Sequence, residues 1–148
     1  MSSAQPTRGI VPAPGLGRTA GLVAGDVAAF LVFSAVGRSS HGAAAGLDAL
    51  LQVAGTAAPF AVGWFLVAPF VGVFGPAAVS GVRPMVARTA LAWLLAWPIG
   101  LALRALLLQR SVPLSFALVT LVTVLVILVV WRGVFALAAS RTAGENSN

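Results

Sequence analysis

Three ionisable side chains interrupt the long apolar runs of this sequence: Asp26, Arg104 and Arg132. A charge at the centre of a bilayer costs about 2.5–3.5 kcal/mol on insertion scales, so each of these groups requires a partner or a path to the membrane surface. Side chains of this kind pass protons or ions, bind groups of opposite charge, or fix the register of neighbouring helices. The chemistry open to this sequence therefore depends on a few charges set among apolar residues.

Asp26 and Arg132 are expected at the same depth. At 1.5 Å per helical residue, Asp26 lies about 10 Å into the first apolar run, and Arg132 lies about 9 Å before the end of the last one. Because both distances start from the same end of a helical bundle, we predict that the two side chains form a pair or share a polar pocket. Such a pair is either a relay or binding element for protons, ions or anions, or an ion pair that fixes helix register.

A second set of polar side chains, around Arg104, is predicted at the opposite end of the helical bundle. Arg104 lies about 6 Å from the end of the third apolar run, where it can extend to the headgroups, contact Asp48, or form the wall of a cavity with Arg38 and His41. His41 is the only histidine, and a solvated loop position is its simplest interpretation, with pH sensing as the alternative. With one histidine and no cysteine, the sequence predicts no metal site, no cofactor and no catalytic residues.

The composition indicates that lipid rather than water surrounds this chain. Hydrophobic residues make up 59% of the 148 residues and charged residues 8%, whereas about 25% of the residues in soluble domains are charged. The net charge of +6 comes from arginine alone, and the arginines stand singly at the edges of apolar runs. That pattern is typical of contact with anionic lipid headgroups rather than with nucleic acid. The expected partner is therefore the bilayer.

Apolar runs of about 20 residues can cross the hydrocarbon core of a bilayer as helices. We predict an all-α integral membrane bundle of four transmembrane helices in residues 19–138, with flexible tails at 1–18 and 139–148. The predicted helices are 19–36, 47–73, 85–108 and 114–138, and the segment 75–84, rich in Gly and Pro, is predicted as a turn. Pro59, Pro69 and Pro98 fall inside predicted helices, where neighbouring helices can satisfy the freed carbonyl groups.

Small residues at every fourth position predict close contacts between helices. They form two ladders, one in the first predicted helix and one in the third: Gly21, Gly25 and Ala29, and Ala92, Ala96 and Gly100. We expect each ladder to face a neighbouring helix, because a small side chain lets two backbones approach.

The distribution of arginines predicts the orientation of the bundle. Placing both termini in the cytoplasm puts six arginines on the inner side and three on the outer side, in accord with the positive-inside rule. The inner group is Arg8, Arg18, Arg83, Arg88, Arg132 and Arg141, and the outer group is Arg38, Arg104 and Arg110. Asp26 within the first run argues against a cleaved signal peptide there. We therefore expect a multi-pass protein of the cytoplasmic membrane.

Two short segments are the most distinctive in the chain. Asp26 precedes GRSSHG at 37–42 and PFAVGW at 59–64, and Arg104, Ser115-Phe116 and Trp131-Arg132 follow in order. This pattern resembles a prokaryotic family of small four-helix membrane proteins, domain of unknown function 3054, over about residues 20–132. The resemblance implies the same fold and the same polar residues, but it implies no reaction.

The leading functional hypothesis is a small transport-type or solute-interacting protein in which Asp26, Arg132 and Arg104 line polar pockets. Transport through so few helices would require a homo-oligomer. The alternative is a non-catalytic accessory or scaffold subunit that packs against a larger membrane complex. An enzyme is disfavoured, because the sequence offers no paired carboxylates or set of metal ligands.

Overall fold

The computed structural model describes residues 15–39, 46–109 and 111–145. Within these ranges the chain forms helices and no strand: α1 (Leu16–Ser39), α2 (Leu47–Val67), α3 (Pro76–Val79), α4 (Val82–Leu108) and α5 (Leu114–Glu145). Along the ring α1–α2–α4–α5 each long helix contacts the next one, and α5 closes the ring on α1. Short connections between antiparallel neighbours produce this up-and-down arrangement. The predicted all-α bundle is confirmed.

The four long helices of the described chain are long and apolar enough to cross a membrane, over Leu16–Gly37, Leu47–Val67, Val82–Leu108 and Leu114–Arg141. Their outer surface is apolar: Val122, Val126 and Val130 lie exposed in a row along α5, whereas Asp26 and Arg132 are buried. Water would oppose an exposed apolar surface of this extent, but lipid does not. The bundle fits a multi-pass membrane protein.

The two ends of the bundle differ, and they are named here by one arginine each. At the Arg18 end, Arg18 near the start of α1 donates a hydrogen bond to the carbonyl group of Val79, at 3.4 Å, and lies over the ring of Phe135 on α5. The opposite end, which contains Arg104 and the start of α5, is the Arg104 end. The start of α1 and the end of α5 therefore lie on the same side.

Helix α2 is shorter than predicted. It ends at Val67, so the prediction of a continuous helix through Pro69 to residue 73 is wrong, although Pro59 does lie inside the helix. Proline removes a backbone N–H at both positions, but the helix continues past Pro59 and ends just before Pro69. Gly72 adopts φ 71°, a left-handed conformation that glycine adopts without steric cost.

The remaining boundaries differ less from the predictions. The predicted turn 75–84 contains the one-turn helix α3, and α4 begins at Val82 with Pro84 in its first turn, where a missing N–H costs nothing. Helix α1 begins at Leu16. Helix α5 begins at Leu114 as predicted but continues to Glu145, and residues 139–145 contain no proline that would end it.

The predicted ladder on α4 packs against α2. Ala92, Ala96 and Gly100 are buried, and Gly63 of α2 lies directly against Ala96 and Gly100. A Cβ atom at Gly63 would lie 2.9 Å from the backbone oxygen of Ala96 and 3.1 Å from the backbone nitrogen of Gly100. The close contact predicted for this ladder is confirmed, and Gly63 is the position on α2 that makes it possible.

The predicted ladder on α1 packs against α5. Gly25 lies against the indole of Trp131, so that a Cβ atom at this position would overlap the ring, and a Cβ atom at Gly21 would lie 3.7 Å from Phe135. Ala29, one turn further along α1, is buried. This second close contact is also confirmed.

Aromatic side chains fill the middle of the bundle. Phe30, Phe33, Phe60, Trp64 and Trp93 are all buried, and their neighbouring ring centroids lie 5.8–6.4 Å apart. Rings at these separations pack in tilted and edge-to-face arrangements that leave little space. This aromatic layer separates the Arg18 end from the Arg104 end.

Candidate functional site

Asp26 and Arg132 form a bidentate ion pair between α1 and α5. The Nε of Arg132 donates to Oδ1 of Asp26 at 2.9 Å, and its Nη2 donates to Oδ2. Both side chains are fully buried. The pair that their common depth predicts is confirmed, and each charge is neutralised by the other.

Neighbouring groups enclose this pair. Trp64 donates from Nε1 to Oδ2 of Asp26 at 3.0 Å, and Nη1 of Arg132 donates to the carbonyl group of Val73 at 3.3 Å. The guanidinium group lies 5.3 Å from the ring centroid of Trp64 and 5.0 Å from that of Phe74. Buried charges are tolerated when they are paired and hydrogen-bonded in this way. The ion pair and these neighbouring groups form an enclosed contact between helices, the Asp26–Arg132 seam. This enclosed geometry favours a role in fixing helix register over a role as a relay.

The turn after α2 completes the seam. In this turn the carbonyl group of Val73 accepts a hydrogen bond from Arg132, and the carbonyl group of Val71 accepts one from Nη1 of Arg88 at 2.9 Å. At Gly72 a Cβ atom would lie 2.7 Å from the same Nη1. Two arginines thus hold non-helical backbone in place, and such backbone is tolerated at membrane depth only where protein covers it.

A cavity of about 760 Å³ lies between the four long helices at the Arg104 end. Its volume is within the range of small-molecule sites. Its polar lining comes from all four helices: Ser34, Gln52, Thr56, Arg104, Ser115 and Thr120. Its apolar lining includes Phe33, Leu108, Phe116 and Val119. The aromatic layer closes the cavity toward the Arg18 end.

The polar side chains of the cavity differ in their hydrogen bonding. Oγ1 of Thr120 donates to the carbonyl group of Phe116 at 2.7 Å, and the guanidinium carbon of Arg104 lies 4.4 Å from the ring centroid of Phe116. Ser34 is 3% exposed, and its hydroxyl group has no hydrogen-bond partner within the described part of the chain. A buried hydroxyl group without a partner is costly.

The structure separates the predicted polar residues into two groups. Asp26 and Arg132 meet at the Arg18 end, whereas Arg104 lines the cavity; a cavity wall shared with Arg38 and His41 stays a prediction. The contact between Arg104 and Asp48 stays a prediction. The side chain of Arg38 and the whole of His41 lie outside the described residues. Across 15–39, 46–109 and 111–145, no three His, Cys, Asp or Glu side chains lie close enough to hold a metal ion.

Sequence reasoning missed several members of both groups. Trp64 was not recognised as a partner of Asp26, and Ser34 was not recognised as part of a cavity. One signal was available on α2, because Gln52 and Thr56 are four residues apart and therefore lie on one face of a helix. No comparable signal marked Ser34, since single serines are common in membrane helices.

A comparison with family models matches residues 23–135 to a family described as protein of unknown function (DUF3054). The matched segment contains the ion pair, the aromatic layer and the cavity. No curated protein and no solved structure matches the chain. The resemblance based on Asp26, GRSSHG and PFAVGW is therefore confirmed.

Proposed function

This chain belongs to the family of proteins of unknown function DUF3054, and from that premise we propose that it is a solute-binding, transport-type protein of the cytoplasmic membrane. The binding site is the cavity at the Arg104 end. The observation that carries the proposal is the buried hydroxyl group of Ser34, which lines the cavity without a hydrogen-bond partner in the described chain. Built cavities with a few convergent polar groups are the usual form of a ligand site.

In this conformation the cavity is closed toward the Arg18 end. A solute entering from the Arg104 end meets the aromatic layer, and beyond that layer the Asp26–Arg132 seam is sealed. Passage to the Arg18 end would require both to rearrange. In this proposal Arg104 takes part in binding the solute. The Asp26–Arg132 ion pair has a different role, because it keeps the bundle closed at the Arg18 end.

We further propose that both termini lie in the cytoplasm. The arginine distribution supports this orientation, which places the cavity mouth on the outer side of the membrane. The chain contains no cysteine, so each introduced cysteine reports on one position only.

Single cysteines test the orientation. A membrane-impermeant maleimide added to intact cells is expected to label Ser115→Cys, because Ser115 is exposed at the Arg104 end. Ser80→Cys, at an exposed position before α4, is expected to react only after the cells are permeabilised. Labelling of Ser80→Cys alone in intact cells would show that the termini lie outside.

A cysteine inside the cavity tests the solute site. Ser34→Cys is expected to react in reconstituted membranes with a small, water-soluble methanethiosulfonate reagent, because the cavity is wide enough to admit it. Thr89→Cys is the control, since Thr89 is equally buried on α4 but lies outside the cavity. Equal lack of reaction at both positions would contradict an accessible binding site.

The accessory-subunit alternative gives a different result in the same experiment. A larger complex that covered the Arg104 end would protect Ser34→Cys in native membranes, and the protection would disappear after purification in detergent. A solute-binding protein shows the same reactivity in both preparations. If transport does occur, we expect a homo-oligomer, because a single bundle filled by the aromatic layer offers no continuous path.

A further inference from the structure

We propose that the Arg104 cavity binds the oxyanion head of an amphiphile, meaning a carboxylate or phosphate group carried on an apolar chain. This inference rests on the proposed solute-binding function and names the class of ligand. It is carried by four features of the described cavity: its charge, the helix end that faces it, the buried hydroxyl group of Ser34 and its apolar walls.

The charge of the cavity lining is positive. Arg104 lines the cavity, and none of the described lining residues is acidic. The guanidinium carbon lies 4.4 Å from the ring centroid of Phe116, and a cation–π contact of this kind restricts the movement of the group. An oxyanion therefore meets a cation whose orientation is already restricted, which lowers the entropy cost of binding.

The start of α5 adds a second source of positive potential. Ser115 and Phe116 lie in the first turn of this helix and line the cavity. The first N–H groups of a helix have no acceptor within the helix, and the aligned peptide dipoles give this end a partial positive charge. Oxyanions bind at such helix ends in many proteins.

The hydroxyl group of Ser34 is the independent sign of a ligand. Ser34 lies on α1, lines the same cavity as the start of α5, and is 3% exposed. Its Oγ has no hydrogen-bond partner within the described residues. A hydroxyl group can donate one hydrogen bond to an oxyanion, so a bound head group would satisfy the polar atom that the folded chain leaves unsatisfied.

The apolar walls exclude a small inorganic anion as the whole ligand. Phe33 and Phe116 line the cavity, and so do Leu108 and Val119, whose side chains are exposed. An inorganic ion would leave these side chains in contact with trapped water, whereas an attached hydrocarbon chain covers them. The chain of the ligand therefore lies along Leu108 and Val119 toward the lipid.

Binding of radiolabelled decanoate to the full chain in phosphatidylcholine nanodiscs tests the proposal. We expect saturable binding above that of empty nanodiscs at pH 8. Arg104→Gln is expected to weaken it at least tenfold, because charge-assisted hydrogen bonds are the strong ones. Ser34→Ala is expected to weaken it by a smaller factor. Arg83→Gln is the matched control, since Arg83 is exposed on the same helix at the Arg18 end, and it should leave binding unchanged.

Neutral and cationic ligands distinguish two negative results: a cavity that binds solutes other than oxyanions, and a cavity that binds no solute. If decanol or decyltrimethylammonium binds as tightly as decanoate while Ser34→Cys is accessible, the site exists and the oxyanion class is wrong. If Arg83→Gln weakens decanoate binding as much as Arg104→Gln does, the assignment of an oxyanion ligand to the Arg104 cavity is also wrong. If nothing binds and Ser34→Cys is unreactive, the solute site itself is wrong.

Two sources can supply this ligand, and a lipid substitution distinguishes them. Replacing part of the phosphatidylcholine with phosphatidylglycerol is expected to reduce decanoate binding if the occupant is a phospholipid of the bilayer. Unchanged binding assigns the cavity to a free amphiphile. Either result supports an oxyanion head, provided that Arg104→Gln weakens the saturable binding at least tenfold.

Discussion

Asp26→Asn and Arg132→Gln will each lower the free energy of unfolding by about 3–5 kcal/mol, the usual effect of removing one partner from a buried ion pair. The reason is the burial of both side chains: whichever charge remains has no water and no opposite charge to stabilise it. Unfolding in detergent micelles, followed by far-UV circular dichroism with increasing dodecyl sulfate, measures the change.

The double variant provides the decisive comparison. Asp26→Asn with Arg132→Gln places two neutral amides in the seam, and we expect it to recover most of the stability that either single change removes, because no unpaired charge remains. Arg141→Gln makes the same substitution at an exposed position of α5 and should be neutral. Additive losses in the double variant would contradict the assignment of the pair to helix register.

A relay function would give another pattern. If Asp26 carried a proton or an ion, Asp26→Asn would abolish a coupled flux in liposomes while the free energy of unfolding stayed close to that of the unchanged protein. The enclosed geometry, with Trp64 and Val73 as additional partners, leads us to expect the opposite order, in which stability is lost first.

Gly63→Ala will lower the free energy of unfolding by about 1–3 kcal/mol, the typical cost of overpacking a well-packed interior. A Cβ atom at this position would lie 2.9 Å from a backbone oxygen and 3.1 Å from a backbone nitrogen of α4. Backbone atoms cannot rotate away as a flexible side chain can, so the helices α2 and α4 must separate. The same unfolding measurement detects the loss.

Gly55→Ala is the matched control on the same helix. A Cβ atom there would meet no atom within 4 Å, and alanine is about 1 kcal/mol more favourable than glycine inside a helix. We therefore expect Gly55→Ala to be neutral or slightly stabilising. A similar loss for both variants would mean that glycine matters in α2 for a reason other than the contact with α4.

The same contrast shows how far the ladders could be predicted. The spacing of Ala92, Ala96 and Gly100 indicated a close helix contact, and the structure confirms one. The spacing did not indicate the partner helix or the role of Gly63, because a ladder marks a face without marking what covers it. Trp64 shows the same limit: its position in PFAVGW was distinctive, but its hydrogen bond to Asp26 depends on how α2 is rotated.

The sequence alone determined the number of helices long and apolar enough to cross a membrane and the common depth of Asp26 and Arg132, because run length and the rise per residue depend on no contact between helices. Only the tertiary structure decided which side of each helix faces inward, where α2 ends, and that Arg104 and Ser34 share a cavity. The physical reason is the solvent: a helix in lipid is apolar on its outer side as well as its inner side, so no polar stripe records its rotation. Close packing of glycines, aromatic rings and one ion pair sets that rotation instead.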